Sequence, residues 1–446
     1  MNRTELLERI DREIELCRAE LAKDTIRLIG IKSVKGEPQP GAPFGPGPRA
    51  VLDEVMRMGE AVGLYPTEHT DSIVSIGLKE GTPDLGIWIH GDVVPEGTGW
   101  NMDPYKAVEY KGHIIGRGAA DNKGQLCAMF HLLKIFKKLG VELNYIPAIY
   151  VGSNEENGAN DLKDFLTKHQ PPKMSLIPDC GFPVGYGGKG CIYLYLRPKK
   201  PLQGVTILAG QDADPGKAVA VIGQRTVEAS SLPRHMSKPD PKGNMITRLM
   251  EKLLDDPDVA PEDRPVYEIF RLLSQDVYGK AFGLDVQPKE MTPLVIGPER
   301  IDMIDGYPEL VLKIRNPIEL PTEVVRERIA VVAEKYGVEI ARTDEIVKPY
   351  LLDKNWPVLR RLEEVADEIT GGDRPPYIIG GYTYGHLLPY AVGYGTDANI
   401  WPEDFPEGHG GAHGIHESVS LDRLQRAVRI YARALLALNE MEWEVK

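Results

Sequence analysis

The sequence predicts an α/β protein with a mixed central sheet flanked by helices and a second, α+β domain inserted into the first. Two observations carry this prediction. Short apolar segments such as Leu85–His90 alternate with segments of helical apolar spacing such as Gly124–Leu139. Near Gly187 the pattern changes to short segments in which polar and apolar residues alternate. We take this change as the start of the inserted domain.

The first part of the chain alternates between predicted helices and strands. Residues 85–90 are almost wholly apolar, which predicts a central strand. The elements predicted here are, in order, helices at 6–29 and 49–62, strands at 72–78 and 85–90, a helix at 124–139, a strand at 144–152, a helix at 162–168 and a strand at 174–178.

The inserted domain is predicted to span residues 189–352, so that residues 1–188 and 353–446 form one domain. A segment rich in proline and aspartate, 255–265, is predicted to be a loop. The other elements predicted from residue 189 onwards are strands at 192–196, 219–222 and 310–315, and helices at 245–254, 323–336, 356–369 and 421–438.

Composition argues against several classes of function. The net charge of −13 and the lack of a lysine or arginine cluster argue against nucleic-acid binding. Residues 1–22 have no apolar core of the kind found in signal peptides, and no apolar run reaches the roughly 18–20 residues that span a bilayer. Cysteine occurs at four positions without a CxxC pair. These features predict a cytoplasmic protein with free thiols.

Five short stretches place metal-type ligands where strands end and loops begin. Carboxylates mixed with imidazoles suit Zn, Mn or Co, and their number exceeds what one tetrahedral ion needs. An aspartate can also bridge two ions with its two oxygens. The sequence therefore predicts a hydrolase with two metal ions. The stretches contain His90 and Asp92, Asp121, Glu155 and Glu156, Asp179, and His413.

Each stretch also has a simpler interpretation. His90 fits a hydrogen-bonded core histidine, and Asp121 fits an N-cap of the following helix. Glu155–Glu156 fit acids at a helix N-terminus, and Asp179 fits an ordinary loop aspartate. The loop with His409, His413 and His416 fits either a separate metal site or a polar loop. Residues 185–190 match GxGxxG, but a strand-like segment follows instead of a helix, so we reject a dinucleotide site.

Taken in order, these motifs resemble the co-catalytic metallopeptidase family that includes aminoacylase, carboxypeptidase G, succinyl-diaminopimelate desuccinylase and the peptidase V dipeptidases. The resemblance covers nearly the whole chain and is closest to the peptidase V-like branch. It is densest at residues 88–95, 116–124, 152–158, 178–179 and 413–417.

The resemblance implies a role for each candidate ligand. One ion is held by His90 and Asp179, the other by Glu156 and His413, and Asp121 bridges the two. The Asp121–Asn122 peptide bond is then expected to be cis. Glu155 is the general base acting on a water between the ions, and Asp92 orients His90.

The resemblance also extends to the inserted domain, which would act as a lid. His235 would stabilise the oxyanion, and Arg315 would bind a substrate carboxylate. The segment 381–386 resembles a substrate loop, which implies contacts from Tyr382, Thr383 and Tyr384. Three positions depart from the family pattern: Asp212 replaces an expected asparagine, Tyr382 a glycine, and His386 an arginine.

The expected activity is hydrolysis of the amide bond of dipeptides or short peptides by a hydroxide between two Zn or Mn ions. The large insertion favours a monomer that supplies His235 to its own site. The alternative within the family is an N-acyl amino acid amidohydrolase. A more remote alternative is a non-catalytic metal- or small-ligand-binding protein, although such a protein would not need the complete set of ligands and base.

Overall fold

The structure is a computed structural model that describes residues 2–211, 214–231, 244–396, 405 and 409–443. The chain forms two compact units. The first comprises residues 1–187, 352–379 and 383–446, and the second comprises residues 188–351 and 380–382.

The first segment of the chain contains helices α1 to α5 and strands β1 to β8. Between β5 and α4 lies the irregular turn Ala119–Lys123. The elements are α1 (Arg3–Leu16), α2 (Arg18–Ile29), α3 (Pro46–Ala61), β1 (Tyr65–Thr70), β2 (Ile73–Gly77), β3 (Leu85–His90), β4 (Val108–Tyr110), β5 (His113–Ile115), α4 (Gly124–Leu139), β6 (Pro147–Gly152), α5 (Asn160–Lys168), β7 (Met174–Ile177) and β8 (Gly185–Gly188).

The second segment forms most of the second unit. It also contains short 3₁₀ turns at Pro261–Asp263, Lys280–Phe282 and Glu334–Tyr336. Its elements are β9 (Cys191–Pro198), β10 (Val205–Gln211), β11 (Asp214–Ile222), β12 (Arg225–Ser230), α6 (Met245–Leu254), α7 (Arg264–Gln275), β13 (Val295–Ile304), β14 (Tyr307–Arg315), α8 (Thr322–Ala333), β15 (Val338–Val347) and β16 (Tyr350–Leu351).

The third segment returns to the first unit. A 3₁₀ turn, Tyr384–His386, lies between two of its strands. Its elements are α9 (Pro357–Thr370), β17 (Tyr377–Ile379), β18 (Ala391–Gly393), β19 (Ser418–Ser420) and α10 (Leu421–Leu438).

The main sheet of the first unit has the strand order β1-β2-β6-β3-β7-β18-β8, and β17 pairs with β8. The pairs β6 with β3, β3 with β7, and β7 with β18 are parallel, whereas β1, β2 and β6 pair antiparallel. His90, the last residue of β3, is in register with Gly152, the last residue of β6. The loops after β3, β6 and β7 therefore leave the sheet at the same edge.

A small sheet of β4, β5 and β19 joins distant parts of the first unit. Strand β5 pairs antiparallel with β19, with Ser418 opposite Ile115. The residue after β5, Gly116, donates its amide hydrogen to the carbonyl of Glu417 at 2.8 Å. This pairing brings the loop before β19 beside the turn at Ala119–Lys123.

Helix α4 forms the centre of the helical layer of the first unit. It contacts α1, α2 and α10 as well as β3 and β6. Most of its side chains are buried, among them Phe136 at 0% exposure. Because α4 starts directly after the Ala119–Lys123 turn, packing of this helix fixes the position of that turn.

The second unit has its own sheet and its own core. Its strand order is β12-β11-β10-β13-β14-β9-β15, and all of the pairs are antiparallel. Apolar residues of α6, α7 and α8 pack with the apolar residues of these strands in one buried cluster. The observed architecture confirms the predicted fold class.

Most predicted elements are present. The helix predicted at 6–29 is two helices, α1 and α2, with Cys17 between them. The segment predicted as a loop at 255–265 leads directly into α7. The sequence pattern does not predict α7, nor the strands β1, β4, β5, β8, β10, β12, β13 and β15 to β19. Among the described residues, no helix is both long enough and apolar enough to cross a membrane.

Candidate metal centre

His90 ends β3 with its side chain 1% exposed. Its Nδ1 lies 2.9 Å from the main-chain carbonyl of Asp92, and its Nε2 lies 2.9 Å from Oδ1 of Asp121. A neutral ring that donates from Nδ1 to the carbonyl presents an Nε2 lone pair to a carboxylate oxygen. Two acceptors at that distance require a cation between them, either a proton or a metal ion.

Asp121 presents one oxygen to each of two imidazoles. Oδ1 faces Nε2 of His90, and Oδ2 lies 3.1 Å from Nε2 of His413. Asp121 lies in the irregular turn after Gly118, and its peptide bond to Asn122 is cis, as expected. The two oxygens thus point to different neighbours, which is the arrangement a bridging carboxylate needs.

His413 lies in the loop before β19, with a backbone φ of 61°. Its Nε2 is 3.0 Å from Oε1 of Glu156 as well as near Asp121. Gly410 donates to the carbonyl of Ile415, and Ser418 donates to the carbonyl of Gly410, at 2.9 and 3.0 Å. These bonds fold the loop back on itself and direct the imidazole towards the two acids.

Glu155 and Glu156 follow β6 in a loop whose main chain is held by Asp92. The amide of Glu155 donates to Oδ1 of Asp92 at 3.1 Å, and that of Glu156 donates to Oδ2 at 3.2 Å. The Asp92 carboxylate is 0% exposed and lies 3.6 Å from Nδ1 of His90. The partner of Nδ1 at hydrogen-bond distance is therefore the carbonyl of Asp92, while its carboxylate orients the two glutamates.

Asp179 follows β7, and its Oδ2 lies 3.9 Å from Nε2 of His90. Burial and the nearby charge of Asp121 raise the pKa of Asp179 to about 8. Burial likewise raises the pKa values of Glu155 and Glu156, and the neighbouring acids add to the effect.

The neighbouring carboxylates favour the protonated form of the imidazoles. Burial alone would lower the pKa of His90, but the hydrogen bond to Asp121 and the nearby carboxylates of Asp92 and Glu155 raise it well above its usual value. Burial would also raise the pKa of Asp121, but hydrogen bonds from His413 and His90 hold it far below its usual range. Such a concentration of acids around two imidazoles attracts positive charge.

The donor set fits divalent ions. One ligand atom from each of His90, Asp121 and Glu156 lies within 4.8 Å of the others. Ligands about 2.0–2.2 Å from an ion are themselves about 3–4 Å apart, and the contacts among His90, Asp121, Glu156, Asp179 and His413 are 2.9–3.9 Å. Mixed carboxylate and imidazole donors suit Zn, Mn or Co.

Arg117 and Glu417 support this centre, a role that the sequence pattern does not predict. They are 1% and 0% exposed, and Nη1 of Arg117 lies 2.5 Å from Oε2 of Glu417. Oε1 of Glu417 accepts from the amides of Ala120 and Asp121, both at 2.9 Å, and Nη2 of Arg117 donates to the carbonyl of His413 at 3.2 Å. The pair therefore holds two ligand-bearing segments. The one feature of the sequence that points to a role for these two residues is their position inside the motif segments 116–124 and 413–417.

The remaining candidate residues lie in several parts of the chain. Arg315 ends β14 in the second unit, to which Tyr382 also belongs, whereas Thr383 and Tyr384 belong to the first. Tyr384 is 2% exposed, and its hydroxyl donates to Asp161 at 2.5 Å. His235 and Asp212 lie outside the described residues. The substrate and oxyanion roles assigned to these residues remain predictions.

Comparison with known proteins identifies the family. The model described as "Peptidase family M20/M25/M40" matches residues 86–437, which is most of the chain. The chain belongs to this peptidase family. The resemblance inferred from the motifs is thereby confirmed.

Relatives match over nearly their whole length. A Bacillus subtilis (strain 168) protein named "Putative dipeptidase YtjP" is 28% identical, over 96% of this chain and 99% of its own. The crystal structure of human carnosine dipeptidase 1 matches with a TM-score of 0.63 at 15% identity, over 98% of this chain and 99% of that one. The Bacillus subtilis YXEP protein, titled a dinuclear metal binding peptidase, matches with a TM-score of 0.53 at 11% identity, over 96% and 100%. At these identities the structural matches support the fold.

Replacement of Glu417 by glutamine should destabilise the protein, because it leaves the Arg117 guanidinium buried without its counter-charge. Breaking a buried pair in this way costs about 3–5 kcal/mol. Glu440→Gln is the control, since Glu440 pairs with Arg3 at the surface and its side chain is 53% exposed. Loss of an exposed ion pair of this kind lowers the free energy of unfolding by about 0–1 kcal/mol. Urea unfolding monitored by circular dichroism measures both. Equal stabilities of the two variants would contradict the supporting role of the pair.

Proposed function

We propose that this protein is a metal-dependent dipeptidase that uses two divalent ions and Glu155 as its general base. The observation that carries the proposal is the position of Asp121, with one carboxylate oxygen at each of two imidazoles. The dipeptidase names of the relatives support the substrate class, and the peptidase family supports the reaction.

In this proposal, His90 and Asp179 would hold one ion, Glu156 and His413 would hold the other, and Asp121 would be a ligand of both. When bound, the ions supply Lewis-acid polarisation of the scissile carbonyl and lower the pKa of water towards about 7. Zn or Mn fits these donors, and Co is a further candidate.

In the proposed reaction, Glu155 transfers a proton from the attacking water to the leaving amine. Its Oε1 is buried and has no hydrogen-bond partner among the described residues. It accepts a proton from the attacking water as the new carbon–oxygen bond forms, and it returns that proton to the amine nitrogen as the carbon–nitrogen bond breaks. Asp92 keeps the Glu155 side chain directed at this task through the main-chain hydrogen bond.

Arg315 is our candidate ligand for the substrate carboxylate. Its Nη1 is buried without a hydrogen-bond partner among the described residues, and a guanidinium can form two parallel hydrogen bonds with a carboxylate. Tyr382 and Thr383 are further candidates for substrate contact, and His235 for the oxyanion. We also propose that the enzyme is cytoplasmic and acts as a monomer.

The substrate class is tested by incubating metal-loaded protein with a mixed dipeptide library and with N-acetyl amino acids. Dipeptides should be cleaved, EDTA should abolish the activity, and Mn²⁺, Zn²⁺ or Co²⁺ should restore it, because the ions supply the polarisation described above. The cleavage products are identified by mass spectrometry. Cleavage of the N-acetyl amino acids alone would favour the amidohydrolase alternative, and activity unaffected by EDTA would refute the metal centre.

The adjacent glutamates should separate chemistry from metal binding. Glu155→Gln removes the proton acceptor and should lower turnover by about 10²–10⁴-fold while metal content is retained. Glu156→Gln removes a charged ligand and should weaken metal binding directly. Elemental analysis and turnover are measured for both, with the exposed Glu142→Gln as control. A fully active Glu155→Gln protein would require another base.

The monomer proposal is tested by mixing variants. His235→Ala should lower turnover by about 10²–10³-fold, as expected when one oxyanion donor is lost. If each chain uses its own His235, mixing this variant with Glu155→Gln protein restores no activity, since neither chain has a complete site. Recovery of a substantial fraction of wild-type activity would show that the histidine is shared between subunits.

A further inference from the structure

Four successive main-chain amides fix the loop that carries Glu155 and Glu156. The amides of Ser153 and Asn154 donate to Oδ2 of Asp161 at 2.7 and 2.8 Å. The next two amides, those of Glu155 and Glu156, donate to Asp92. The loop is thus held from its first residue onwards by two buried carboxylates, and Asp161 holds the half that leaves strand β6.

Asp161 has no exposed surface and belongs to the first turn of α5. Its Oδ1 accepts from the amide of Leu162 at 2.7 Å, and its Oδ2 also accepts from the hydroxyl of Tyr384 at 2.5 Å. Oδ2 therefore receives three donors. A carboxylate with so many short hydrogen bonds has one orientation, and so do the amides bound to it.

Tyr384 packs tightly against the end of β6. A Cβ atom added to Gly152 would lie 1.9 Å from the Tyr384 hydroxyl oxygen and 2.4 Å from Oδ2 of Asp161. The ring of Tyr384 also packs edge-on against Trp88 of β3, with ring centroids 6.2 Å apart. The tyrosine is thus wedged between strand ends that carry the candidate site, and its hydroxyl group is engaged by an acceptor in the protein.

We propose that Asp161 and Tyr384 are positioning residues that set the orientation of the loop bearing Glu155 and Glu156, and that the Tyr384 hydroxyl serves this loop instead of the substrate. This inference rests on the proposed function, because the loop carries its base and one of its metal ligands. It replaces the substrate role that the sequence had suggested for Tyr384.

The two roles of Tyr384 differ in their kinetic consequences. Loss of a contact to the substrate that is made equally in the ground and transition states raises KM and leaves kcat unchanged. Loss of a bond that positions the base lowers kcat, and loss of a bond that positions Glu156 weakens metal binding. The second effect is measurable without any substrate.

Tyr384→Phe removes only the hydroxyl. At saturating Mn²⁺ we expect kcat to fall about 10-fold with KM within about 2-fold of wild type, and the Mn²⁺ affinity by isothermal titration calorimetry to fall about 10-fold, the low end of the usual effect of groups that orient metal ligands. The matched control is Tyr394→Phe, since Tyr394 is 0% exposed and its hydroxyl donates to the carbonyl of Leu362 at 3.0 Å. Both variants lose one buried hydrogen bond and should have similar Tm values, but the control should keep wild-type kcat and Mn²⁺ affinity.

Asp161 provides a second comparison. Asp161→Asn can place its amide oxygen where Oδ2 lies and retain those three donors, whereas Asp161→Ala retains none. We therefore expect Mn²⁺ affinity and kcat to decrease in the order wild type, Asn, Ala, with Asp161→Asn about 10–100-fold below wild type. If Asp161→Ala does not fold, Tyr384→Phe still decides the question.

Two outcomes would overturn the proposal. One is a Tyr384→Phe protein with raised KM and wild-type kcat and Mn²⁺ affinity. This result would indicate that the tyrosine contacts the substrate. Another is an equal loss of kcat in Tyr384→Phe and Tyr394→Phe. This result would mean that the loss of kcat comes from lower protein stability and not from a change in the loop. Failure of the proposed function looks different: the wild-type protein would cleave no dipeptide, while the Mn²⁺ affinity of Tyr384→Phe would still fall.

Discussion

Parallel pairing of β3 with β6 and β7 is the constraint on which the rest of the candidate site depends. Because these strands run in one direction, their carboxyl ends lie at one edge, and the loops that follow converge without any long connection. The acids that meet there are buried, and burial together with the neighbouring acids raises the pKa values of Glu155, Glu156 and Asp179. Such a group of buried acids needs a rigid frame to remain together, and the hydrogen-bonded sheet provides it.

A second constraint brings the far end of the chain to that edge. His413 is separated from His90 by the whole second unit in sequence, and it returns because β19 pairs with β5. The Arg117–Glu417 pair then fixes the result, since both side chains also bond to the main chain of ligand-bearing segments. Burying two opposite charges is costly unless the remaining hydrogen-bonding groups are satisfied, and these main-chain partners satisfy many of them.

The sequence predicted those features that depend on local pattern. The strand Leu85–His90 and the helix Gly124–Leu139 have the predicted bounds, because an apolar run and a helical period are each visible in a short window. The sequence could not assign a role to Asp161, because Tyr384, the partner that reveals this role, lies 223 residues away. Nor could it show that the Asp92 carboxylate binds main-chain amides, since spacing alone does not state which atoms of a residue meet.

Hydrogen-bond donors divide the acids of this site into two groups, although all of them are aspartate or glutamate. Asp92, Asp161 and Glu417 each accept from at least two main-chain amides, and such donors hold a carboxylate in one orientation. By contrast, Asp121 faces two imidazoles, and Oε1 of Glu155 has no partner among the residues described. An acid whose oxygens already accept hydrogen bonds from the protein main chain holds the loops of the site in position. An acid whose oxygens are left for a cation or a proton is the one available for chemistry, and this distinction can be read only from the folded chain.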